Sequence, residues 1–214
     1  MLNKLIICML MVLLSSATVT FAKVEPLPIL SGVGGEFSAI NGDRKTVQLS
    51  TYAGKIVVIA FGYTNCADIC PFTLGYLKRL YSGLSAAEQQ AVQVLFVTVD
   101  PAYDTPAHLK AFVGHFNQDF IGLTGSQEQI DHIVSLYQAE YNKLVEQGVA
   151  TQNIRRVNPK EFTNDKTAKE DKASLYSHTV TLYLADKEGY TRSLEYTGTP
   201  VDEFLGKIRQ LINE

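Results

Sequence analysis

The stretch Lys55-Ile-Val-Val-Ile-Ala-Phe61-Gly-Tyr-Thr-Asn65-Cys66-Ala-Asp-Ile-Cys70-Pro71 decides how this chain is read. Lys55 to Phe61 is a short continuous apolar run rich in β-branched residues, which predicts a buried strand. Gly62 to Asn65 make a turn. Beyond it, Leu74, Leu77, Leu80, Tyr81 and Leu84 recur at helical spacing, which predicts a helix over Phe72–Leu84 with Pro71 at its first position. Two thiols then stand at a helix N-terminus, where free N–H groups and the macrodipole favour thiolate over thiol. A pair so placed serves electron transfer, metal binding or a structural disulfide.

Toward the C-terminus the pattern continues as strand and helix in alternation. Gln93–Val99 reads as a second buried strand, ended by Asp100-Pro101. Thr105-Pro106 opens a helix carrying Leu109, Phe112, Val113 and Phe116, with Thr105 as N-cap. Phe120–Leu123 is a short third strand. Ser126, with Gln129 three residues on, opens a helix through Ile130, Ile133, Val134 and Tyr137, extending toward Tyr141. Thr179–Ala185 and Thr191–Tyr196 form a β-hairpin around Asp186–Gly189, and Pro200 opens a last helix bearing Val201, Phe204, Leu205, Ile208 and Leu211.

On the N-terminal side, Phe37–Leu49 reads as a β-hairpin turned at Asn41-Gly42. The sum is an α/β fold, a thioredoxin-like sandwich with a central mixed sheet, an N-terminal β-hairpin and helices on both faces. In open α/β sheets of this kind the site lies beyond the carboxyl ends of the strands, where Cys66 and Cys70 fall.

Two segments stand outside that pattern. Residues 1–22 combine a basic Lys4, an apolar core from Leu5 to Leu14 and the cleavage-like Thr20-Phe21-Ala22, which predicts a signal peptide, or alternatively an uncleaved N-terminal membrane anchor. Its apolar core of about ten residues is shorter than the roughly 20 a membrane span needs. The domain over residues 23–214 is accordingly expected outside the cytoplasm, in a periplasm. The second segment, Asn142–Ala173, holds seven basic and five acidic side chains with few large apolar ones, and is expected to be a charged loop or hairpin insertion with a solvated surface.

Composition narrows the function classes. The 214 residues carry a formal charge of −3 and no basic stripe, which argues against nucleic acid as a partner. There is no Trp, so the WCxxC form of a redox site is excluded. Cys8 sits inside the leader as an apolar filler, leaving Cys66 and Cys70 as the two thiols of the mature chain.

Two thiolates match a soft ion such as copper(I), and a third donor would protect it from competing ligands. His108, His115 and His132 lie on predicted helices and read as ordinary helix-surface histidines. His178 stands at the junction between the insertion and the strand Thr179–Ala185, opposite the cysteine loop in this topology, so it can approach both thiols. The plain alternative is a strand-edge histidine. Asp68 is expected to set loop geometry or face a partner. Asp100 and Asp104 read as turn and capping residues, or as part of a partner surface. The same thiols suit disulfide exchange, one attacking and one resolving. Three intervening residues instead of two, and Ser177-His178 where a proline would be expected, favour a ligand cage over a dedicated oxidoreductase.

Phe61-Gly-Tyr-Thr-Asn-Cys66-Ala-Asp-Ile-Cys70-Pro71 resembles the signature of the Sco/SenC copper-binding proteins. Val97-Thr-Val-Asp100-Pro-Ala-Tyr-Asp104-Thr-Pro106 is similar to a second block of that family, and Ser177-His178-Thr179 before Tyr183-Leu-Ala-Asp186 to its histidine segment. The resemblance covers about residues 30–212. It implies a thioredoxin-like domain held at or near a membrane. One copper ion, Cu(I) or Cu(II), would be bound by Cys66, Cys70 and His178, with Cys66 and Cys70 forming a disulfide when oxidised. It also implies help in assembling the copper centre of cytochrome c oxidase, with a copper-accepting oxidase subunit or a periplasmic copper chaperone as partner. Some members act as thiol–disulfide oxidoreductases that keep partner cysteines reduced, with Cys66 and Cys70 as the redox pair. A monomer is expected. Ala67 departs from the family's usual proline, Ser177 from a frequent acidic residue, and the insertion is longer than usual.

Overall fold

The computed structural model describes residues 25–143 and 176–214. The leader and all but the first two residues of the charged insertion therefore lie outside the described residues. Among the described residues, nine strands and five α-helices follow in chain order. They are β1 (Ser38–Asn41), β2 (Thr46–Gln48), β3 (Ile56–Gly62), α1 (Ile69–Ser82), α2 (Ala86–Gln90), β4 (Val92–Thr98), α3 (Pro106–Phe116), β5 (Ile121–Thr124), α4 (Gln127–Leu136), β6 (Tyr141–Lys143), β7 (Tyr176–His178), β8 (Leu182–Ala185), β9 (Thr191–Glu195) and α5 (Val201–Asn213).

Seven strands make one mixed sheet in the order β2-β1-β5-β4-β3-β8-β9. β3, β4 and β5 are parallel, with Ala60 opposite Phe96 and Phe96 opposite Gly122. β8 returns antiparallel to β3, and β1 antiparallel to β5. β3 and β4 are buried along their whole length, as expected of central strands covered on both faces. Successive residues of a strand face opposite sides of a sheet. Phe96, on the side of Ala60, meets Phe112 of α3, while the adjacent Phe61 meets Tyr137 at the end of α4 and Tyr183 of β8. The two faces are thus covered by different helices, α1 packing with α3 and α5, and α4 lying opposite.

Local chemistry accounts for most element ends. The side chains of Thr105 and Ser126 accept from the backbone N–H of His108 and Gln129, and Ser126–Gln129 forms a full capping box. Each cap contributes about 1 kcal/mol. The turn after β1 starts at Asn41, whose side chain accepts from the N–H of Asp43 and Lys45, and it closes through Arg44 at φ 61. The left-handed residue is therefore Arg44, outside the Asn41-Gly42 pair.

Several expectations need correction. α1 starts at Ile69, so Pro71 is its third residue. Its missing N–H costs nothing there, because the first four helical N–H groups have no intrahelical partner. α4 stops at Leu136, and Tyr141 belongs to β6. The strand expected from Thr179 begins at Leu182, while His178 ends a separate short strand, β7. The rims of the insertion are ordered: β6 pairs with β7, Tyr141 opposite His178 and Lys143 opposite Tyr176. The short α2 went unread, although Ser85 and Glu88 form a capping box. Among the described residues no helix is long and apolar enough to cross a membrane.

Candidate metal centre

β3 ends at Gly62, and the chain turns through Tyr63 to Asp68 into α1. The N–H of Cys66 donates to the carbonyl of Tyr63 at 3.3 Å, which folds the first thiol back over the strand end. Cys70 lies in the first turn of α1 and is 1% exposed, against 7% for Cys66. Gly62 makes this packing possible. A Cβ there would come within 2.9 Å of the Cys70 sulfur and 2.5 Å of the Phe96 ring.

His178 comes from the other end of the chain. Its Nε2 is 3.3 Å from the Cys70 sulfur, and its Nδ1 is 2.9 Å from the carbonyl oxygen of Thr179. A carbonyl can only accept, so Nδ1 donates to it, and this bond turns Nε2 toward the thiols. This is the outer-shell arrangement that orients metal-binding histidines. The ligand atoms of Cys66, Cys70 and His178 all lie within 4.8 Å of one another, and no other such group of three occurs among the described residues.

The two sulfurs differ electrostatically. The neighbouring Cys70 thiol holds the Cys66 group well below the ordinary cysteine range, helped by His178 and the N–H groups of Asp68 and Cys70, against the opposing effect of burial. Burial pushes Cys70 upward, and the Cys66 charge adds to it. Without metal, the pair therefore shares one proton, held on Cys70 and donated to a Cys66 thiolate. Tyr63, which is buried, is kept protonated chiefly by that burial.

The remaining candidates separate clearly. His115 and His132 are exposed on their helices. His108 is buried, contrary to the surface reading, and its Nδ1 lies 3.4 Å from the Thr64 hydroxyl. Asp100 and Asp104 are buried too, which excludes them from a partner surface. Asp104 instead anchors the cysteine loop, accepting from the Thr64 N–H at 3.0 Å and from the Thr64 and Thr98 hydroxyls at 2.5 Å each. Asp68 is exposed and makes no side-chain cap to α1. The sequence reading missed Tyr63 and Tyr176. The Tyr63 hydroxyl donates to the carbonyl of Tyr176 and accepts from its N–H, both at 3.2 Å. The signal available was a large aromatic placed in a turn three residues before a reactive thiol.

A mixed sheet with a Cys-x3-Cys pair at the head of a helix, and a distant histidine facing it, defines a thioredoxin-like protein with a two-thiol, one-imidazole triad. Comparison with known proteins gives the family: residues 30–213 match the SCO1/SenC family model, and the chain belongs to that family. It is 29% identical over 182 residues to Protein SCO2, mitochondrial, of Saccharomyces cerevisiae, covering 84% of this chain and 53% of that one. Among solved structures it resembles Bradyrhizobium japonicum ScoI with copper bound, at 25% identity and a TM-score of 0.67, covering 84% of this chain and 99% of that one. It also resembles yeast Sco1 with copper bound, at 26% identity and a TM-score of 0.64, covering 83% and 89%. The chain spans about half the length of the curated relatives it matches.

Proposed function

We propose that this protein binds one copper ion through Cys66, Cys70 and His178 and passes it to the copper centre of cytochrome c oxidase, or to a carrier that feeds it. The observation that carries this reading is the convergence within 4.8 Å of two thiols and an imidazole oriented by its Nδ1 bond to the Thr179 carbonyl. Two soft sulfurs and one nitrogen are a donor set that suits copper(I), with the imidazole also serving copper(II). A three-donor site leaves a side open, so an acceptor thiolate can enter while a donor leaves. The copper-bound relatives and the family membership support the same reading. Residues 1–22 would act as a signal peptide or anchor that takes a single domain, residues 23–214, out of the cytoplasm.

A second reading is favoured by the proton asymmetry of the two cysteines. A Cys66 thiolate beside a protonated Cys70 is a nucleophile with a resolving partner, the arrangement that thiol–disulfide exchange uses.

Copper(I) titration of the reduced full-length chain against a chromophoric chelator separates the two readings. One equivalent should bind, with His178→Ala weakening it at least tenfold and Cys66→Ser or Cys70→Ser abolishing competition. Weak binding that ignores His178→Ala, together with fast exchange against a model disulfide, would overturn the copper reading in favour of the redox one.

A further inference from the structure

We infer that Tyr63 is a positioning residue, whose hydroxyl ties the strand carrying the imidazole to the loop carrying the thiols. The inference rests on His178 being a copper ligand. β6 and β7 form a two-stranded sheet of their own, separate from the seven-stranded one. Their mutual register fixes His178 against Tyr141, but it does not fix either strand against the cysteine loop. Besides its carbonyl bond to the imidazole, Thr179 reinforces that local pairing, donating its N–H to the Glu140 carbonyl at 2.9 Å and accepting the Glu140 N–H on its hydroxyl at 2.8 Å.

Tyr63 spans the gap. Its backbone carbonyl closes the turn that presents Cys66. Its hydroxyl bonds both the N–H and the C=O of Tyr176, two residues before His178. A residue in a strand sends its N–H and C=O out of the same edge, and a hydroxyl can donate and accept at once. One phenol therefore does for Tyr176 what a neighbouring strand would do. The Tyr63 ring also meets Tyr176 and His178 edge-on, with centroids 5.5 and 5.9 Å away. A longer bond from the Tyr176 hydroxyl to Asp100, at 3.4 Å, braces the same strand from beyond.

Removing only the hydroxyl leaves the ring packing intact but withdraws the partner of two backbone groups. β7 is then held less firmly against the cysteine loop, and the imidazole shifts off the thiols while both sulfurs stay in place. The test is a cycle of Tyr63→Phe, His178→Ala and the double variant in the full-length chain, read by copper(I) affinity. Amide exchange of Tyr176 without copper is followed as a second measurement. Tyr63→Phe should lower affinity about tenfold in the native background, in line with the loss of an outer-shell partner, and should have no effect where His178 is already Ala. The Tyr176 amide should exchange at least tenfold faster. Equal losses in both backgrounds, or native affinity with an unchanged Tyr176 amide, would overturn the inference. Unaltered binding in His178→Ala would instead remove the ligand assignment on which it rests. A weakened His178→Ala beside a native Tyr63→Phe would remove the inference alone.

Discussion

Thr64 gives Asp104 both its backbone N–H and its hydroxyl, across 40 residues of chain and entirely inside the protein. The bond joins the loop that carries the thiols to the turn that opens α3, so the buried carboxylate braces the cysteine loop from behind. Burial is also the main influence on its acidity, pushing Asp104 up to about 7, against the lowering effect of its Thr64 and Thr98 donors.

That shift gives stability a specific pH dependence. A carboxyl whose folded pKa is raised contributes stability that is fully present below its unfolded value, near 3.9, and is lost as pH rises through about 7. The loss approaches ~1.4 kcal/mol per pH unit inside that window. Asp104→Asn removes the proton that can be lost, though it also breaks an accepted bond. The variant should have the lower urea midpoint at pH 5, with the gap to the native protein narrowing by pH 8. Parallel midpoints across that range would show that Asp104 does not titrate there.

The cysteines should be chemically unequal. In the reduced, metal-free chain, iodoacetamide at pH 6 should modify Cys66 at least tenfold faster than Cys70, as read by peptide mapping, because Cys66 holds the thiolate and Cys70 is buried and protonated. The Cys70 thiol is the largest cause of that low value, so Cys70→Ala should slow alkylation of Cys66 at pH 6. Cys70→Ser, which keeps an O–H donor, should slow it less. Native rates in both variants would mean that the helix terminus, not the neighbouring thiol, activates Cys66.

Metal and disulfide should compete for the same sulfurs. Thiolates coordinated to copper(I) are unavailable to attack one another, so the loaded chain should form the Cys66–Cys70 disulfide at least tenfold more slowly under a mild disulfide oxidant. Conversely, the oxidised chain should bind no copper(I) until it is reduced. Free-thiol titration over time, with and without one equivalent of copper, reads both effects. Equal oxidation rates would place the metal elsewhere.

Much of this architecture is legible in the sequence because its period is unambiguous. Ile56–Gly62 is an uninterrupted apolar run and Val94–Val97 a shorter one, and Thr105 and Ser126 are caps whose side chains do what their chemistry suggests. Cys66 and Cys70 declare themselves by spacing. What could not be read was whatever depends on partners far along the chain. The burial of His108, Asp100 and Asp104 follows from the way the Thr64 loop folds over α3, and polar residues at helix starts look like caps until that packing is known. The strand that delivers His178 is only three residues long, too short to leave a period of its own. It exists because β6 and Tyr63 supply its partners.

Tyr137 is among the largest fully buried side chains, and its ring fits edge-on against Phe37, Phe61 and Tyr183. Its hydroxyl, however, has no hydrogen-bond partner among the described residues. Burying an unsatisfied hydroxyl costs ~1–3 kcal/mol, whereas the ring contributes its full apolar area with or without the oxygen. Tyr137→Phe should therefore raise stability by about 1 kcal/mol, or roughly 2–4 °C in Tm for a domain of this size. Tyr137→Leu, which discards the ring contacts, should lower it by a comparable or larger amount. A destabilised Tyr137→Phe would mean that the hydroxyl is satisfied in solution, most simply by a buried water shared with Thr191, whose hydroxyl also has no partner among the described residues and lies beside Gly34 together with the Tyr137 ring. Thr191→Val separates the cases. Alone it should stabilise, as Tyr137→Phe does, if each hydroxyl stands by itself, and it should be destabilising, losing the same bond as Tyr137→Phe, if the two share a water.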